Sequence, residues 1–368
     1  MTICHYTTVH KRYDTRILYK QCVSSLSVAQ RVYLIVADGK GNEIVEGVNI
    51  VDLGLPQTLF QRFFITQRKL FSKLKQLNAD LYQFHDPELI PVSWWFAKHR
   101  AVIYDAHENL IDQIKHKSTL KHFSFLLYPF IKWGIFKMLY RFKLILCATE
   151  EIYQALGHQK KRVIYNYPIF KPFLGESETE QEEEFKICYI GSLSKVRGID
   201  KIIQAVSEIK GLKLVLAGVF SEENYKSYCM SLSGWNKVEH LGWINQDKAT
   251  KVIKQCALGM CILKPTPAYI DAIPTKVLEY MSCSIPFIAT ELRFCEAIVR
   301  KHKCGLIVKN EVKAIKKGIL YYKNNENERI KHGQNSLKAI HNNYRWRNEE
   351  QKLLESYKEV LNLSKPKL

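Results

Sequence analysis

The chain has 368 residues, 46% hydrophobic and 25% charged, which is ordinary for a soluble globular protein and leaves room for two domains of ~150 residues. Its formal net charge of +19 is not ordinary and calls for an anionic partner: nucleic acid, an acidic membrane face or a phosphorylated substrate. The ten cysteines form no C-x-x-C pair and no Cys/His cluster with zinc spacing, so they read as buried free thiols in a reducing compartment. Residues 1–9 lack a cationic start followed by a long apolar stretch. The most apolar region, 123–147, is interrupted by Lys132, Lys137, Arg141 and Lys143. It falls short of the ~18 apolar residues a span needs. The expectation is a cytosolic protein able to lie on a membrane.

In chain order, strand-like apolar runs fall at 3–9, 32–37, 101–105, 144–148 and 162–165. A second series follows at 185–190, 212–217, 238–241, 257–263, 285–289 and 305–308. Helical patterns such as 199–209 and 247–255 lie between them. This alternation predicts α/β units with parallel sheets. Between the two series, 177–184 reads Ser-Glu-Thr-Glu-Gln-Glu-Glu-Glu, an acidic run that buries nothing and serves as an interdomain linker. A final amphipathic helix is expected over 346–361, with Trp346, Leu353, Leu354 and Tyr357 on its apolar side, and a frayed tail over 365–368.

Two segments carry recognisable chemistry. In 189–200 an apolar strand runs into Gly191, then a polar loop with Ser192, Lys195 and Arg197, then a helix opening near Gly198. A strand, a glycine loop and a helix N-terminus form an anion site, to which the two cations add charge. By itself this is equally a plain strand–helix turn. In 264–281 a strand gives way to a Pro-rich loop and a helix opened by Pro274 or Thr275. Glu279 then sits one turn inside the helix, where a carboxylate can accept from the vicinal hydroxyls of a ribose. Asp271, eight positions earlier, can do the same for a hexose, and the helix start at Thr275 and Lys276 can face a diphosphate.

Taken together, these segments resemble the nucleotide-sugar site of family 4 retaining glycosyltransferases. The matching elements are the strand–Gly–basic–Gly loop, Asp271-x7-Glu279, Ile285-Pro286-Phe287-Ile288-Ala289-Thr290, Glu296 and Cys304-Gly305-Leu306-Ile307-Val308. The resemblance implies a GT-B fold: two Rossmann-like domains facing across a cleft, with a C-terminal helix returning to the N-terminal domain. It divides the chain into 1–168 for the acceptor, linker 169–185, 186–345 for the donor and crossover helix 346–368. The N-terminal half resembles the bacterial surface-polysaccharide (O-antigen or capsule) subgroup. Its marks are His10 with Asp14-Thr15-Arg16-Ile17, then His85-Asp86-Pro87-Glu88, then Asp105-Ala106-His107-Glu108-Asn109.

The residue roles implied by the resemblance are as follows. His107, at a strand end where open α/β sheets bind ligands, approaches the donor sugar. Asp271 and Glu279 complete the catalytic set. Gly191, Ser192, Lys195, Arg197, Gly198, Trp243, Thr275, Lys276 and Glu279 bind the donor, its base near Gly242-Trp243-Ile244. Arg16, His85 and Glu108 serve the acceptor side. Two departures stand out: Asp271 replaces the family's first Glu, and Ser192 replaces its loop Arg. Lys195, Lys276 and Arg16 are candidates for the missing cation.

No Asp-x-Asp occurs, so transfer without a metal or other cofactor is expected, with cations and helix N-termini neutralising the leaving diphosphate. A UDP-sugar is favoured over a GDP-sugar as donor. The subgroup resemblance implies a saccharide acceptor, lipid-diphosphate-linked. Two cationic-aromatic stretches, 57–78 and 113–147, fit a peripheral site on an anionic membrane, on the inner face of the cytoplasmic membrane. The competing readings are a sugar-nucleotide epimerase, a non-catalytic nucleotide-sugar-binding partner and a nucleic-acid binder. No nucleic-acid motif accompanies the charge.

Overall fold

The computed structural model describes residues 1–107, 124–157, 160–169, 184–266 and 269–362. Glu108, Lys115, Lys117, Lys121, the acidic run at 177–183 and the tail at 363–368 lie outside the described residues. The chain forms two compact units, one of residues 1–166 with 346–368, the other of residues 167–345.

The first unit is an eight-stranded sheet ordered β3-β4-β2-β1-β5-β6-β7-β8. Its strands are β1 (Thr2–Tyr6), β2 (Arg31–Val36), β3 (Glu43–Val45), β4 (Val48–Asp52), β5 (Leu81–Phe84), β6 (Ala101–Ala106), β7 (Leu144–Cys147) and β8 (Lys161–Val163). All pairs are parallel except β3 with β4. That hairpin turns through Glu46 at φ 50° and Gly47 at φ 83°, the two left-handed positions of a type I′ turn.

Period-two alternation gives each strand two faces. Cys4, Tyr6, Tyr82, Phe84, Val102, Tyr104 and Ile145 belong to one core. Ile3, Val32, Leu34, Leu81, Ile103 and Leu146 belong to another, on the opposite face. The helix Trp346–Asn362 returns to this second core with Trp346, Leu353, Tyr357 and Val360. The Trp346 indole N–H donates to Ser24 Oγ at 3.0 Å, and Glu349 accepts from the Tyr165 amide at 3.0 Å.

The second unit is a six-stranded, wholly parallel sheet ordered β11-β10-β9-β12-β13-β14. The strands are β9 (Phe185–Ile190), β10 (Leu212–Ala217), β11 (Val238–Gly242), β12 (Leu258–Cys261), β13 (Phe287–Ala289) and β14 (Gly305–Ile307). Its core joins Ile187, Tyr189, Leu214 and Met260 to Ile199, Ile202 and Ile203 of helix Ile199–Val206. All ten cysteines are unpaired, and nine are buried, as the sequence led us to expect. Among the described residues no helix is long and apolar enough to cross a membrane.

Candidate functional site

A parallel sheet brings every strand's C-terminal end to one edge, and the loops diverge where the strand order reverses. Ligands of open α/β sheets bind at that reversal. In the second unit it falls between β9 and β12, between the Gly191 loop and the loop that follows β12. The Lys264 amide donates to the Val196 carbonyl at 2.8 Å, tying the two loops together.

Gly191 has φ 127°, and a Cβ there would meet Lys276 Nζ at 3.2 Å and Arg197 Nη1 at 3.9 Å. Two cations therefore converge on a glycine backbone at the sheet edge. Gly218 packs back to back with it; a Cβ on Gly218 would lie 2.0 Å from the Gly191 carbonyl oxygen. Lys276 Nζ lies 3.6 Å from the centre of the Tyr189 ring. Burial, followed by Cys261, Arg197 and Glu279 acting in opposing directions, leaves the Lys276 ammonium lowered to about 8.

Tyr280 sets the height of helix Thr275–Ser282 beneath this edge. Its hydroxyl accepts from the Ile190 amide at 3.2 Å and donates to the Met260 carbonyl at 3.2 Å, bracing β9 and β12 at once. Gly259 makes room for the ring: a Cβ there would lie 2.3 Å from it. Glu279 follows Lys276 by three residues, on the same side of the helix. Asp271 Oδ1 accepts from Arg293 Nη1 at 2.7 Å. Thr275 and Lys195 are exposed, as is Trp243, which is 75% accessible just beyond β11.

The loop after β9 differs from a bare helix N-terminus. A short helical turn, Lys195–Arg197, precedes Gly198, and the amides of Arg197 and Gly198 close that turn onto Ser194 and Lys195. Gly198 is left-handed at φ 67° and lies so close to Ile262 that no side chain fits. The Asp200 amide donates to Tyr225 OH at 3.0 Å. Those amides are spent within the fold, so an anion at this edge would meet side-chain cations rather than these amides. Ser192 is exposed and adds no charge.

In the first unit the strand order reverses between β1 and β5. His5, Gln83, His85, Asp105 and His107 are alternate residues on one face of β1, β5 and β6 or their immediate ends. Asp105 is wholly buried. Arg16 clasps it with Nη2 to Oδ1 at 2.7 Å and Nε to Oδ2 at 3.2 Å, while Gln21 Nε2 donates to Oδ2 at 2.8 Å. Burial works to raise the Asp105 carboxyl, but Arg16, His107 and His85 hold it well below the usual carboxylate range.

An ionised carboxylate accepts only, so His107 donates Nε2–H to Oδ2 at 2.6 Å and His85 donates Nδ1–H at 3.2 Å. His85 Nε2 is left to accept from His5 Nδ1 at 3.3 Å. Burial, only partly offset by Asp105, lowers His85 to about 4, so this ring is neutral at neutral pH. His107 keeps a partly exposed edge, and its ring packs 4.9 Å from that of His10.

The ring nitrogens of His85 and His107 and an oxygen of Asp105 lie within 4.8 Å of one another, close enough to ligate a metal. The Arg16 guanidinium occupies both oxygens of that carboxylate, however, and would repel a dication. The geometry suits a histidine held in one tautomer better than a metal centre.

Of the residues singled out in the sequence, the structure brings Gly191, Arg197, Lys276 and Glu279 together in one unit and Arg16, His85 and His107 together in the other. Arg16 is committed to Asp105 and to the Ile164 carbonyl at 2.8 Å, so Lys276 is the cation that accompanies Arg197. Sequence reasoning found no role for His5, Gln21 or Gln83, placed Tyr357 only on the apolar side of the last helix, and marked Asp105 as part of the motif before His107 without assigning it a role. The available signal was a charged residue inside the apolar run Ala101–Ala106, two positions before a histidine.

Residues 171–339 match the family described as glycosyl transferases group 1. An uncharacterized glycosyltransferase of Methanocaldococcus jannaschii is 25% identical over 203 residues, covering 51% of this chain and 48% of the relative. The chain thus spans about half the length of that curated relative. Among solved structures, sucrose-phosphate synthase from Thermosynechococcus elongatus superposes with a TM-score of 0.75 at 14% identity, covering 98% of this chain and 99% of the other. Anabaena HepE in complex with UDP-glucose gives a TM-score of 0.72 at 16% identity, covering 98% and 100%. These likenesses establish the two-domain GT-B fold. The match to glycosyl transferases group 1 over residues 171–339 thus lies on a chain with the GT-B fold.

Proposed function

We propose that the chain is a retaining, metal-independent glycosyltransferase that moves a sugar from a nucleotide-sugar to a lipid-diphosphate-linked saccharide in bacterial surface-polysaccharide assembly. The observation that carries the reading is the convergence of Arg197 and Lys276 on Gly191 at the strand-order reversal, which suits a diphosphate. In this reading Glu279 takes the ribose hydroxyls, Asp271 takes a hexose hydroxyl, and Trp243 lies beside the base. A UDP-sugar is favoured, in line with the UDP-glucose bound by HepE.

His107 orients the transferred sugar. With Nε2–H given to Asp105, its Nδ1 accepts from a sugar hydroxyl. In same-face displacement the bond from the anomeric carbon to the diphosphate oxygen breaks and a bond to the acceptor oxygen forms. The acceptor proton passes to the departing phosphate oxygen. Arg197 and Lys276 stabilise the charge that develops there, the role a metal would otherwise fill.

The acceptor side draws on the surface of the first unit. Leu59, Phe60 and Phe64 are exposed at 71%, 65% and 64% beside Arg68 and Lys69, whereas Leu70 and Leu74 of the same stretch are core. Trp133 and Tyr140 are exposed near Lys137 and Arg141. Exposed aromatics among cations suit the anionic inner face of the cytoplasmic membrane.

The test is to incubate the protein with UDP-, GDP- and dTDP-sugars and a lipid-diphosphate-linked saccharide, and to read nucleotide release and the anomeric coupling of the product by proton NMR. Release of UDP with an unchanged anomeric configuration is expected. An inverted product would overturn retention, and no release with any donor would overturn the enzyme reading.

A further inference from the structure

A line of buried polar groups runs from the last helix of the chain to His107. Tyr357 OH donates to Gln83 Oε1 at 2.8 Å, Gln83 Nε2 donates to Gln21 Oε1 at 2.6 Å, and Gln21 Nε2 donates to Asp105 Oδ2 at 2.8 Å. His107 Nε2 meets the same oxygen at 2.6 Å. Tyr357, Gln83, Gln21 and Asp105 are all wholly buried. We propose that Tyr357 is a positioning residue for His107, acting through Gln83, Gln21 and Asp105. This rests on the reading of His107 as the residue that orients the transferred sugar.

The line has only one polarity. The carboxylate accepts only, so Gln21 must present its NH2 group to it and its carbonyl to Gln83. Gln83 must then present its NH2 group to Gln21 and its carbonyl to Tyr357, which closes the line as a donor. A flipped amide anywhere would set an oxygen against an oxygen in a dry interior, where unmatched polar groups cost most.

Core packing does not call for these groups. Phenylalanine would fill the space of the Tyr357 ring in the core that also holds Leu353 and Val360, and Gln83 stands on a strand face whose neighbours include Ile3, Leu81 and Ile103. What the groups achieve lies at the far end. Asp105 Oδ2 receives Arg16, Gln21, His85 and His107, more donors than one oxygen can serve equally. The fixed approach of Gln21 decides which direction remains for His107. That in turn sets the His107 tautomer and the direction of its Nδ1. The crossover helix is thereby part of the apparatus that aims the histidine.

The test compares Tyr357→Phe with Trp346→Phe, a change on the same helix that removes the bond to Ser24 and lies off the line. Each protein is measured for kcat, donor KM, Tm and the 15N signals of the His107 ring at one pH. For Tyr357→Phe the expectation is a kcat about tenfold lower, a donor KM within about twofold, and 15N signals moved from one tautomer toward a mixture. For Trp346→Phe the expectation is a lower Tm with wild-type kcat and 15N signals. Wild-type kcat and 15N signals in Tyr357→Phe would overturn the proposal, as would equal losses in both variants. If the wild-type protein turns over no donor, it is the functional reading that fails, and the 15N comparison still decides whether Tyr357 sets the tautomer.

Discussion

Replacing Lys276 by Met probes the cradle at Gly191 while keeping the length and much of the apolar bulk of the side chain. The ammonium stands over the Tyr189 ring and beside Arg197, with Glu279 one turn on. A hydrogen bond to a charged group is worth about 1.5–3 kcal/mol, so Lys276→Met should weaken UDP-sugar binding by roughly 10- to 150-fold. Isothermal titration calorimetry measures this directly. The lysine also gives the binding a pH signature. With its ammonium lowered to about 8, chiefly by burial, the charged fraction falls about tenfold between pH 7 and pH 9. A nucleotide-sugar diphosphate does not titrate in that interval, so affinity should fall with rising pH. Lys276→Arg should bind with little dependence on pH. The stability sign is opposite. Between about 8 and the ordinary value of 10.5 the unfolded chain holds the proton that the folded chain has lost, so the ligand-free fold gains stability as pH rises. Affinity within twofold of wild type in Lys276→Met, with the pH dependence intact, would refute the assignment.

Other outcomes follow from the same geometry. His107→Ala should abolish transfer while UDP affinity stays within about twofold of wild type, because the diphosphate is assigned to the other unit; calorimetry beside a turnover assay separates the two. Gly259→Ala forces a methyl to 2.3 Å from the Tyr280 ring, an overpacking that should cost about 1–3 kcal/mol and show as a lower denaturant midpoint and weaker UDP binding. Transfer should survive EDTA, and activity lost to chelation and restored by magnesium or manganese would contradict the metal-free reading. Liposome flotation should recover the protein with anionic but not neutral vesicles, and the double change Phe60→Ser and Phe64→Ser should abolish it; flotation unaffected by the change would remove that surface from the account.

The sequence disclosed the alternation of strands and helices because buried parallel strands are short and apolar. Three strands escaped it. β5 is a four-residue run, Leu-Tyr-Gln-Phe, whose glutamine breaks the apolar signal because it belongs to the polar line beneath His107. β3 and β4 meet at Glu46-Gly47, where a glutamate takes a left-handed position usually held by Asn, Asp or Gly. The proposed donor site was legible because its parts are local: a glycine loop and a helix start, each within a dozen residues. Lys276 was visible as one of three candidate cations, but only folding selects it, since β9, ending at Ile190, and β12, starting at Leu258, become neighbours. The Asp105 network was largely hidden. Its members come from positions 5, 16, 21, 83, 85, 105, 107 and 357, and what unites them is the register of three strands and a returning helix.

The central claim, that the Gly191 cradle holds the diphosphate of a nucleotide-sugar, is tested most directly by thermal shift against UDP-, GDP- and dTDP-sugars, with uridine as the phosphate-free control. A rise of about 3 °C or more with at least one nucleotide-sugar, absent with uridine and lost in Lys276→Met, is the predicted result. No rise with any nucleotide-sugar, or an equal rise with uridine, would contradict the account.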